Sequence, residues 1–199
     1  DINVQVLGPD VHDGSEMVKY TTSLASFTYT EVGAYQGKTG IYKASAATAA
    51  WQNQLDVRLT SSTVDTHANN YAALKAAGIN YISFDMMLSG TNPLTRLQSI
   101  TSGGNTFYTN IVQVGQTYKA FNNGVFNDKI SLYYYDVSSV LTKVDSAHII
   151  QADIWYLVVV DMAFIMTEPY GSGYVNVSVT APQGDIYLGN VTYYCPNNI

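Results

Sequence analysis

Cysteine and charge are both scarce in this sequence. One cysteine, Cys195, occurs among 199 residues, and charged side chains make up 12% of the chain. A lone cysteine excludes a disulfide within the chain and a zinc site built from several thiolates. Nine lysines and arginines against 15 aspartates and glutamates give a formal net charge of −6. Because this acidic balance repels a phosphate backbone, we expect no nucleic-acid partner.

Long apolar runs are also missing. The longest, from Ile154 to Met166, is interrupted by Asp161 and falls short of the roughly 18 residues that span a bilayer. We therefore expect no membrane insertion. The hydrophobic content of 47% is enough for a sizeable core, and no linker, repeat or low-complexity segment interrupts the chain, so we predict one domain over residues 1–199. We interpret the start at Asp1, without methionine, as a processed or excised terminus.

Catalytic motifs are absent as well. The three histidines, His12, His67 and His148, are far apart and lack the spacing of metal ligands. The sequence has no nucleophile elbow, no glycine loop for a phosphate and no zinc-protease helix. Carboxylates inside predicted strands leave a glycoside hydrolase as a third alternative, because such an enzyme needs two carboxylates at one cleft. We predict that the protein is not an enzyme.

The sequence is rich in period-two alternation of apolar and polar residues. Between Gln54 and Thr60, for example, Leu55, Val57 and Leu59 alternate with polar side chains. Strands are predicted at residues 2–6, 26–32, 40–45, 54–60, 80–88, 106–114, 129–137, 154–166, 174–180 and 185–194, with Gly8-Pro9 ending the first of them. Short helical turns are expected at 67–77 and a turn at 137–144. The sequence therefore predicts an all-β fold, a single antiparallel β-sandwich or jelly roll of about ten strands.

Flat aromatic residues beside polar ones indicate a candidate binding face. Sugar recognition needs a ring to cover the apolar face of a pyranose and polar groups to bind its hydroxyls. Tyrosine also favours strands of any sandwich, so strand packing remains an alternative reading of the same pattern. The candidate glycan-binding residues are Trp51, Asp56, Arg58, Tyr133, Tyr135 and Trp155.

Three further features bear on location and on metal binding. Asn176-Val-Ser178 and Asn190-Val-Thr192 match the glycosylation acceptor pattern, and the composition is rich in tyrosine and poor in lysine. We therefore predict an extracellular, secreted or particle-surface location. Asp10, Asp13 and Glu16 crowd one loop that suits either calcium or solvent. We predict no cofactor and leave a structural calcium ion open.

Several segments resemble jelly-roll carbohydrate-binding modules. Ala76–Met86 is similar to their glycine- and tyrosine-containing strand, Trp155–Val160 to their tryptophan-led strand, and Gly184–Tyr193 to their closing strand. Gly40–Ala44 and Trp51–Leu55 follow in the matching order, so the resemblance covers most of the chain. It implies non-catalytic binding to a polysaccharide or a cell-surface glycan.

The sequence departs from that family at two places. Gly189 stands where the family often has an aspartate that holds a structural calcium ion, and the stretch from Leu88 to Lys129 has room for an extra strand or loop. A second functional class fits the same composition: a self-assembling coat, spike or filament subunit that binds copies of itself. In that alternative the first strand, Asp1 to Val6, is donated to a neighbour's open sheet edge.

Overall fold

The computed structural model describes residues 4–11, 19–22, 27–46, 54–61, 81–91, 94–100, 106–118, 127–138, 140–161, 174–180 and 183–196. Strands make up almost all of the secondary structure in these ranges. In chain order they are β1 (Val4–Val11), β2 (Lys19–Thr22), β3 (Phe27–Tyr35), β4 (Lys38–Ala46), β5 (Gln54–Ser61), β6 (Tyr81–Thr91), β7 (Leu94–Ile100), β8 (Thr106–Gln113), β9 (Ile130–Tyr135), β10 (Leu141–Lys143), β11 (Trp155–Asp161), β12 (Tyr174–Thr180) and β13 (Gln183–Pro196). One 3₁₀ turn, Asn127–Lys129, precedes β9.

The strands form two antiparallel sheets. The first has eight strands in the order β10-β9-β11-β6-β13-β4-β3, with β1 also paired to β13. The second has five strands in the order β2-β5-β12-β7-β8. Antiparallel sheets of this kind fit the predicted all-β class, while the packing of the sheets into a sandwich stays a prediction, as does the single domain.

Each of the ten predicted strands overlaps a strand of the structure, and three further strands in the described residues were not predicted. The strands β2 and β10 have four and three residues, too few to display an alternating pattern. The third, β7, lies with β8 in the stretch from Leu88 to Lys129 where an extra strand or loop was expected. The predicted helical turns at 67–77 lie outside the described residues.

The expected end of the first strand at Gly8-Pro9 was wrong. The strand β1 continues to Val11, although its register with β13 shifts between Val6 and Val11. Proline has no N–H to donate, but a sheet tolerates it where pairing is irregular or one-sided. Because β1 pairs with β13 of the same chain, the structure does not favour its donation to a neighbour.

The eight-stranded sheet has two faces of different character. On β11, Tyr156, Val158 and Val160 are completely buried, whereas Trp155 and Asp161 on the opposite side are half-buried. On β9, Ile130 and Leu132 are buried and Tyr133 is half-buried, whereas residues 82–88 of β6 are buried on both sides of the sheet. The face with Tyr156 is therefore a continuous apolar core. We call the face with Tyr156 the inner face and the face with Trp155 the outer face. Truncating a fully buried aromatic such as Tyr156 costs about 3–5 kcal/mol.

The β3–β4 hairpin ends in a tight turn at Gln36-Gly37. Both residues have positive φ, 50° and 81°, as a two-residue type I′ turn requires, because its twist matches that of the flanking strands. Glycine adopts this conformation freely, but Gln36 does so at a cost of about 1 kcal/mol. Tyr35 and Lys38 pair directly at the base of the turn, so the tip presents the side chains of Tyr35, Gln36 and Lys38 to its surroundings.

The hairpin tip covers part of the outer face. The ring of Tyr35 stacks on that of Tyr187, with centroids 4.6 Å apart and planes at 9°. Tyr187 joins Ile41 and Met87 in a small buried cluster against which Tyr35 and Trp155 pack. This second, smaller core explains why Met87 is buried although it belongs to the outer face.

Candidate functional site

The six sequence-predicted binding residues do not share one sheet. Asp56 and Arg58 lie on β5 of the five-stranded sheet, whereas Tyr133 and Tyr135 lie on β9 and Trp155 on β11 of the eight-stranded sheet. Trp51 lies outside the described residues. The structure therefore presents two candidate surfaces, one on each sheet.

The first surface is a pair of polar rows on the five-stranded sheet. Directly paired residues share a face, and side chains alternate between faces along each strand. The register places Asp56 and Arg58 in adjacent rows, which cross several strands of the sheet. The first row is Tyr20, Asp56, Ser178, Arg96 and Asn110, and the second is Arg58, Asn176, Gln98 and Tyr108. We call these nine positions the polar rows.

Sequence reasoning missed most of the polar rows. Arg96 and Gln98 belong to β7, which was not predicted, and Asn176 was considered only as a glycosylation acceptor. A signal for them exists in the sequence, because Arg96 and Gln98 alternate with Leu97 just as Asp56 and Arg58 alternate with Val57. The pairing of β12 between β5 and β7 is what brings these positions together.

The second surface is centred on Trp155, whose indole is held by the hairpin tip. The Trp155 Nε1–H donates a hydrogen bond of 2.8 Å to Oε1 of Gln36. The rings of Tyr35 and Tyr187 meet the indole edge to face, with centroids 6.4 and 6.5 Å away. Such contacts fix both the position and the tilt of the ring.

Two lysines line the same aromatic cluster, each paired with an aspartate. Lys38 Nζ lies 3.2 Å from Oδ2 of Asp85 and 5.3 Å from the centre of the Trp155 ring. Lys43 Nζ lies 3.4 Å from Oδ2 of Asp185. Burial lowers the pKa of Lys43, but the Asp185 carboxylate and the Tyr187 hydroxyl together outweigh it, so that this pKa lies above its usual value. The Asp85 side chain is 8% exposed and that of Asp185 34%, so the first pair is the buried one.

A cleft of about 810 Å³ opens beside Trp155, past the end of β9 and the start of β11. Its walls come from the hairpin tip, from the turn after β9 and from the segment before β11. They are lined by Lys38, residues 134–137, His148, Gln151 and residues 153–155. We call it the end cleft. Tyr135, on its wall, is 60% exposed.

The carboxylate of Asp136 shapes one wall of the end cleft. Its Oδ1 accepts hydrogen bonds from the backbone N–H groups of Val140 at 3.0 Å and Ser138 at 2.8 Å. Its Oδ2 lies 3.2 Å from Oγ1 of Thr142. The two backbone donors lower the pKa of Asp136 below its usual value. This carboxylate is therefore engaged in closing the turn between β9 and β10.

A buried hydroxyl organises the opposite wall. The Tyr156 hydroxyl accepts a hydrogen bond of 3.0 Å from the backbone N–H of Gln151 and lies 3.0 Å from Nε2 of His148. Burial raises the pKa of Tyr156, although the Gln151 donor opposes the shift. The His148 ring also packs on that of Tyr134, with centroids 4.9 Å apart. Together these contacts fix the segment that leads into β11.

Tyr133 lies on the outer face next to a buried tyrosine. The Tyr118 hydroxyl donates a hydrogen bond of 3.1 Å to the carbonyl oxygen of Ile130. Burial, and to a smaller extent the charge interaction with nearby Tyr133, raises the pKa of Tyr118 to about 12. Burial also raises the pKa of Tyr133. Both hydroxyls therefore stay protonated at neutral pH, and that of Tyr118 is committed to the Ile130 carbonyl.

Some of the candidate calcium-binding residues and both candidate glycosylation residues can be located in the structure, and both sites remain predictions. Asp10 lies in β1, while Asp13 and Glu16 lie outside the described residues. Within the described part of the chain, no group of three metal-ligating side chains is found. Asn176 lies in β12 and Asn190 in β13. In the described ranges, no helix is long and apolar enough to cross a membrane.

Comparison with known proteins finds solved structures of similar fold but no match to the sequence. No family model and no curated protein matches the chain. Carbohydrate-binding modules are among the solved structures to which it is similar. The family 11 module of the cellulosomal cellulase Lic26A-Cel5E of Clostridium thermocellum has 11% identity and a TM-score of 0.45, covering 97% of this chain and 95% of that one. The C-terminal family 22 module of Clostridium thermocellum Xyn10B has 14% identity and a TM-score of 0.46, covering 96% and 92%.

An enzyme domain shows a similar likeness over part of its length. The enzymatically active domain of tailspike protein 4 from bacteriophage CBA120 has 10% identity and a TM-score of 0.38. The match covers 98% of this chain and 22% of that one.

Proposed function

We propose that this protein is an extracellular, non-catalytic module that binds a polysaccharide or a cell-surface glycan. The proposed binding surface is the polar rows of the five-stranded sheet. The observation that carries the proposal is the register, which places Asp56 and Arg58 on one face with the residues paired to them on β12 and β7. Both residues were candidates from the sequence, and the pairing extends them into two rows of positions that cross the sheet.

The chemistry of the polar rows suits sugar hydroxyls. A hydroxyl both donates and accepts, so carboxylate, amide and guanidinium groups can bind it in pairs. In the first row, the positions of Asp56 and Arg96 flank that of Ser178, so a negative and a positive residue share the row. Tyr20 and Tyr108 lie at or near the two ends of the rows, where rings suit the apolar face of a pyranose.

The polar rows also support binding rather than hydrolysis. A glycoside hydrolase uses two carboxyl groups about 5–9.5 Å apart on either side of the scissile bond. Asp56 is the one carboxylate in the nine positions of the polar rows. The acceptor sequence at Asn190 and the tyrosine-rich composition support an extracellular location.

The proposal is tested by removing the charged groups of the polar rows. Arg58→Ala and Asp56→Ala should each weaken retardation in native gels that contain soluble polysaccharides, because a hydrogen bond to a charged group contributes about 1.5–3 kcal/mol. This corresponds to a loss of about tenfold or more in affinity. Lys143→Ala is the matched control, because it removes one exposed positive charge from the other sheet.

Two results would contradict the proposal. If Arg58→Ala and Asp56→Ala bind a retained polysaccharide as well as the unchanged protein does, the polar rows are not the binding surface. If the unchanged protein is not retarded by any glucan, xylan, mannan or galactan in the gel series, glycan binding itself is in error. Thermal unfolding of each variant by circular dichroism shows whether a loss reflects binding or stability.

A further inference from the structure

The end cleft is a second surface with the features of a small-ligand site. Its volume of about 810 Å³ lies within the range of about 300–1,000 Å³ that is usual for such sites. It belongs to the eight-stranded sheet, whereas the polar rows belong to the five-stranded sheet. The two candidate sites therefore lie on different sheets.

The exposed ring of Tyr135 distinguishes the end cleft from ordinary strand packing. Tyr187 is buried in the small core under the hairpin tip, while Tyr135 is 60% exposed. A large aromatic ring left in solvent at the wall of a cleft is a surface for an apolar ligand face. Gln151 and Asp153, both exposed on the same walls, supply an amide and a carboxylate close by.

Backbone strain is concentrated at the same place. Among the described residues, Gln36 and Asp153 are the two non-glycine residues with positive φ, at 50° and 63°. Gln36 holds the Trp155 indole, and Asp153, two residues before Trp155, lines the end cleft. The backbone N–H of Asp153 donates a 2.8 Å hydrogen bond to the carbonyl oxygen of Leu88 and so fixes this conformation. Strained residues of this kind cluster at ligand sites, where the rest of the structure holds them in place.

The charges around the end cleft argue against an anionic ligand. Lys38 is paired with the buried Asp85 at 3.2 Å, and both oxygens of Asp136 are engaged in the turn after β9. The polar contacts that remain come from hydroxyl, amide and carboxylate groups. A hydroxyl-rich neutral molecule with one apolar face satisfies them, and this is the chemistry of a neutral sugar.

We propose that the end cleft is a second binding site, which takes a short neutral saccharide or the end of a neutral glycan chain. Tyr135 is its platform, Gln151 and Asp153 bind hydroxyls, and Trp155 forms the rigid base. The site is short because it lies beyond the strand ends and is bounded by the hairpin tip and two loops. Two separate sites on one module can raise the avidity for a polymer well above the affinity of either site.

The test follows the indole N–H signal of Trp155 in two-dimensional nitrogen–proton NMR spectra. The chain has two tryptophans, so Trp155→Phe assigns the signal by its disappearance. The probes are gluco-, xylo-, manno- and galacto-oligosaccharides of one to four sugar units. We expect at least one of them to shift the signal saturably, and Tyr135→Ala to weaken that binding by about tenfold or more. Ile149→Ala is the control, because Ile149 is a comparably exposed apolar residue that does not line the end cleft.

The outcomes separate this proposal from the proposed function. Saturable binding that survives Arg58→Ala but is lost in Tyr135→Ala supports a second site, even if polysaccharide retardation fails. No saturable shift with any probe at 10 mM would overturn the second site and leave the polar rows untouched. A shift that disappears in Arg58→Ala, or that is equal in Tyr135→Ala and the unchanged protein, would also overturn it.

Discussion

Gln36 combines two roles that are rarely found in one residue. Its backbone occupies a region that costs about 1 kcal/mol for a residue with a Cβ atom, at φ 50°. Its side chain accepts the 2.8 Å hydrogen bond from Trp155 Nε1–H. A glycine would suit the turn better, so the presence of glutamine is explained by the side chain rather than by the backbone.

We predict that Gln36→Gly leaves the stability nearly unchanged while releasing the indole. The relief of backbone strain and the loss of one hydrogen bond are each about 1 kcal/mol and opposite in sign. Urea unfolding should therefore give the same midpoint, whereas the Trp155 N–H should exchange faster with solvent. Gln36→Asn is the control, because asparagine tolerates positive φ but its shorter side chain does not reach the indole. Unchanged exchange in both variants would show that Gln36 does not hold the indole.

The two lysine–aspartate pairs differ in their burial and therefore in their expected contribution to stability. Removing Lys38 takes away the cation that lies 3.2 Å from the Asp85 carboxylate, which is 8% exposed, and breaking a buried pair in this way costs about 3–5 kcal/mol. The pair of Lys43 and Asp185 is about one-third exposed, and such pairs contribute about 0–1 kcal/mol.

We predict that Lys38→Met destabilises the protein by about 3 kcal/mol and Lys43→Met by less than about 1 kcal/mol. The measurement is the free energy of unfolding in urea. In the Lys38→Met background, Asp85→Asn should recover part of the loss, because the buried charge is then removed. Equal effects of the two lysine variants would contradict the assignment of the first pair as the buried one.

At the scale of elements, the turn between β9 and β10 depends on one ionised carboxylate. The N–H groups of Val140 and Ser138 lower the pKa of Asp136. A group whose pKa is lower in the folded state stabilises the fold above the unfolded pKa, here near 3.9. That contribution is lost as the pH falls through the still lower folded pKa.

We predict that the stability difference between the unchanged protein and Asp136→Ala is constant above about pH 5 and shrinks below about pH 4. Urea unfolding of both proteins between pH 3 and 7 measures it. Asp145→Ala is a control of the same type, because Asp145 also accepts a backbone N–H two residues ahead, from Ala147, yet belongs to another loop. A difference that persists unchanged at pH 3 would show that Asp136 acts through something other than its charge.

Individual elements were predictable because the physics behind them is local. The alternation of side chains along β9 and β11 puts Leu132 and Tyr156 on the buried sides and Tyr133 and Trp155 on the opposite, half-buried sides. Strands of three or four residues lack enough positions for such a pattern. The turn at Gln36 was missed because glutamine is not a residue that normally indicates positive φ.

At the scale of the whole molecule, the assignment of strands to sheets could not be obtained from alternation. Asp56 and Tyr133 both lie on the polar sides of amphipathic strands, and nothing local shows that these strands enter different sheets. That assignment depends on pairing partners far apart in sequence, such as β5 with β12 and β9 with β11. The candidate residues were therefore found, but their division between two surfaces required the structure.

In the whole molecule, β1 covers part of one edge of β13. β13 pairs with β6 along one side, and with β4 and then β1 along the other. Deleting residues 1–11 would leave the Thr192–Pro196 edge unpaired, and such edges promote association between molecules. We predict that light scattering gives a monomer near 21.7 kDa for the 199-residue chain. The protein should still be monomeric after deletion of residues 1–3. Deletion of residues 1–11 should produce oligomers. Large assemblies of the intact chain that dissociate on the longer deletion would instead establish β1 as a donated strand.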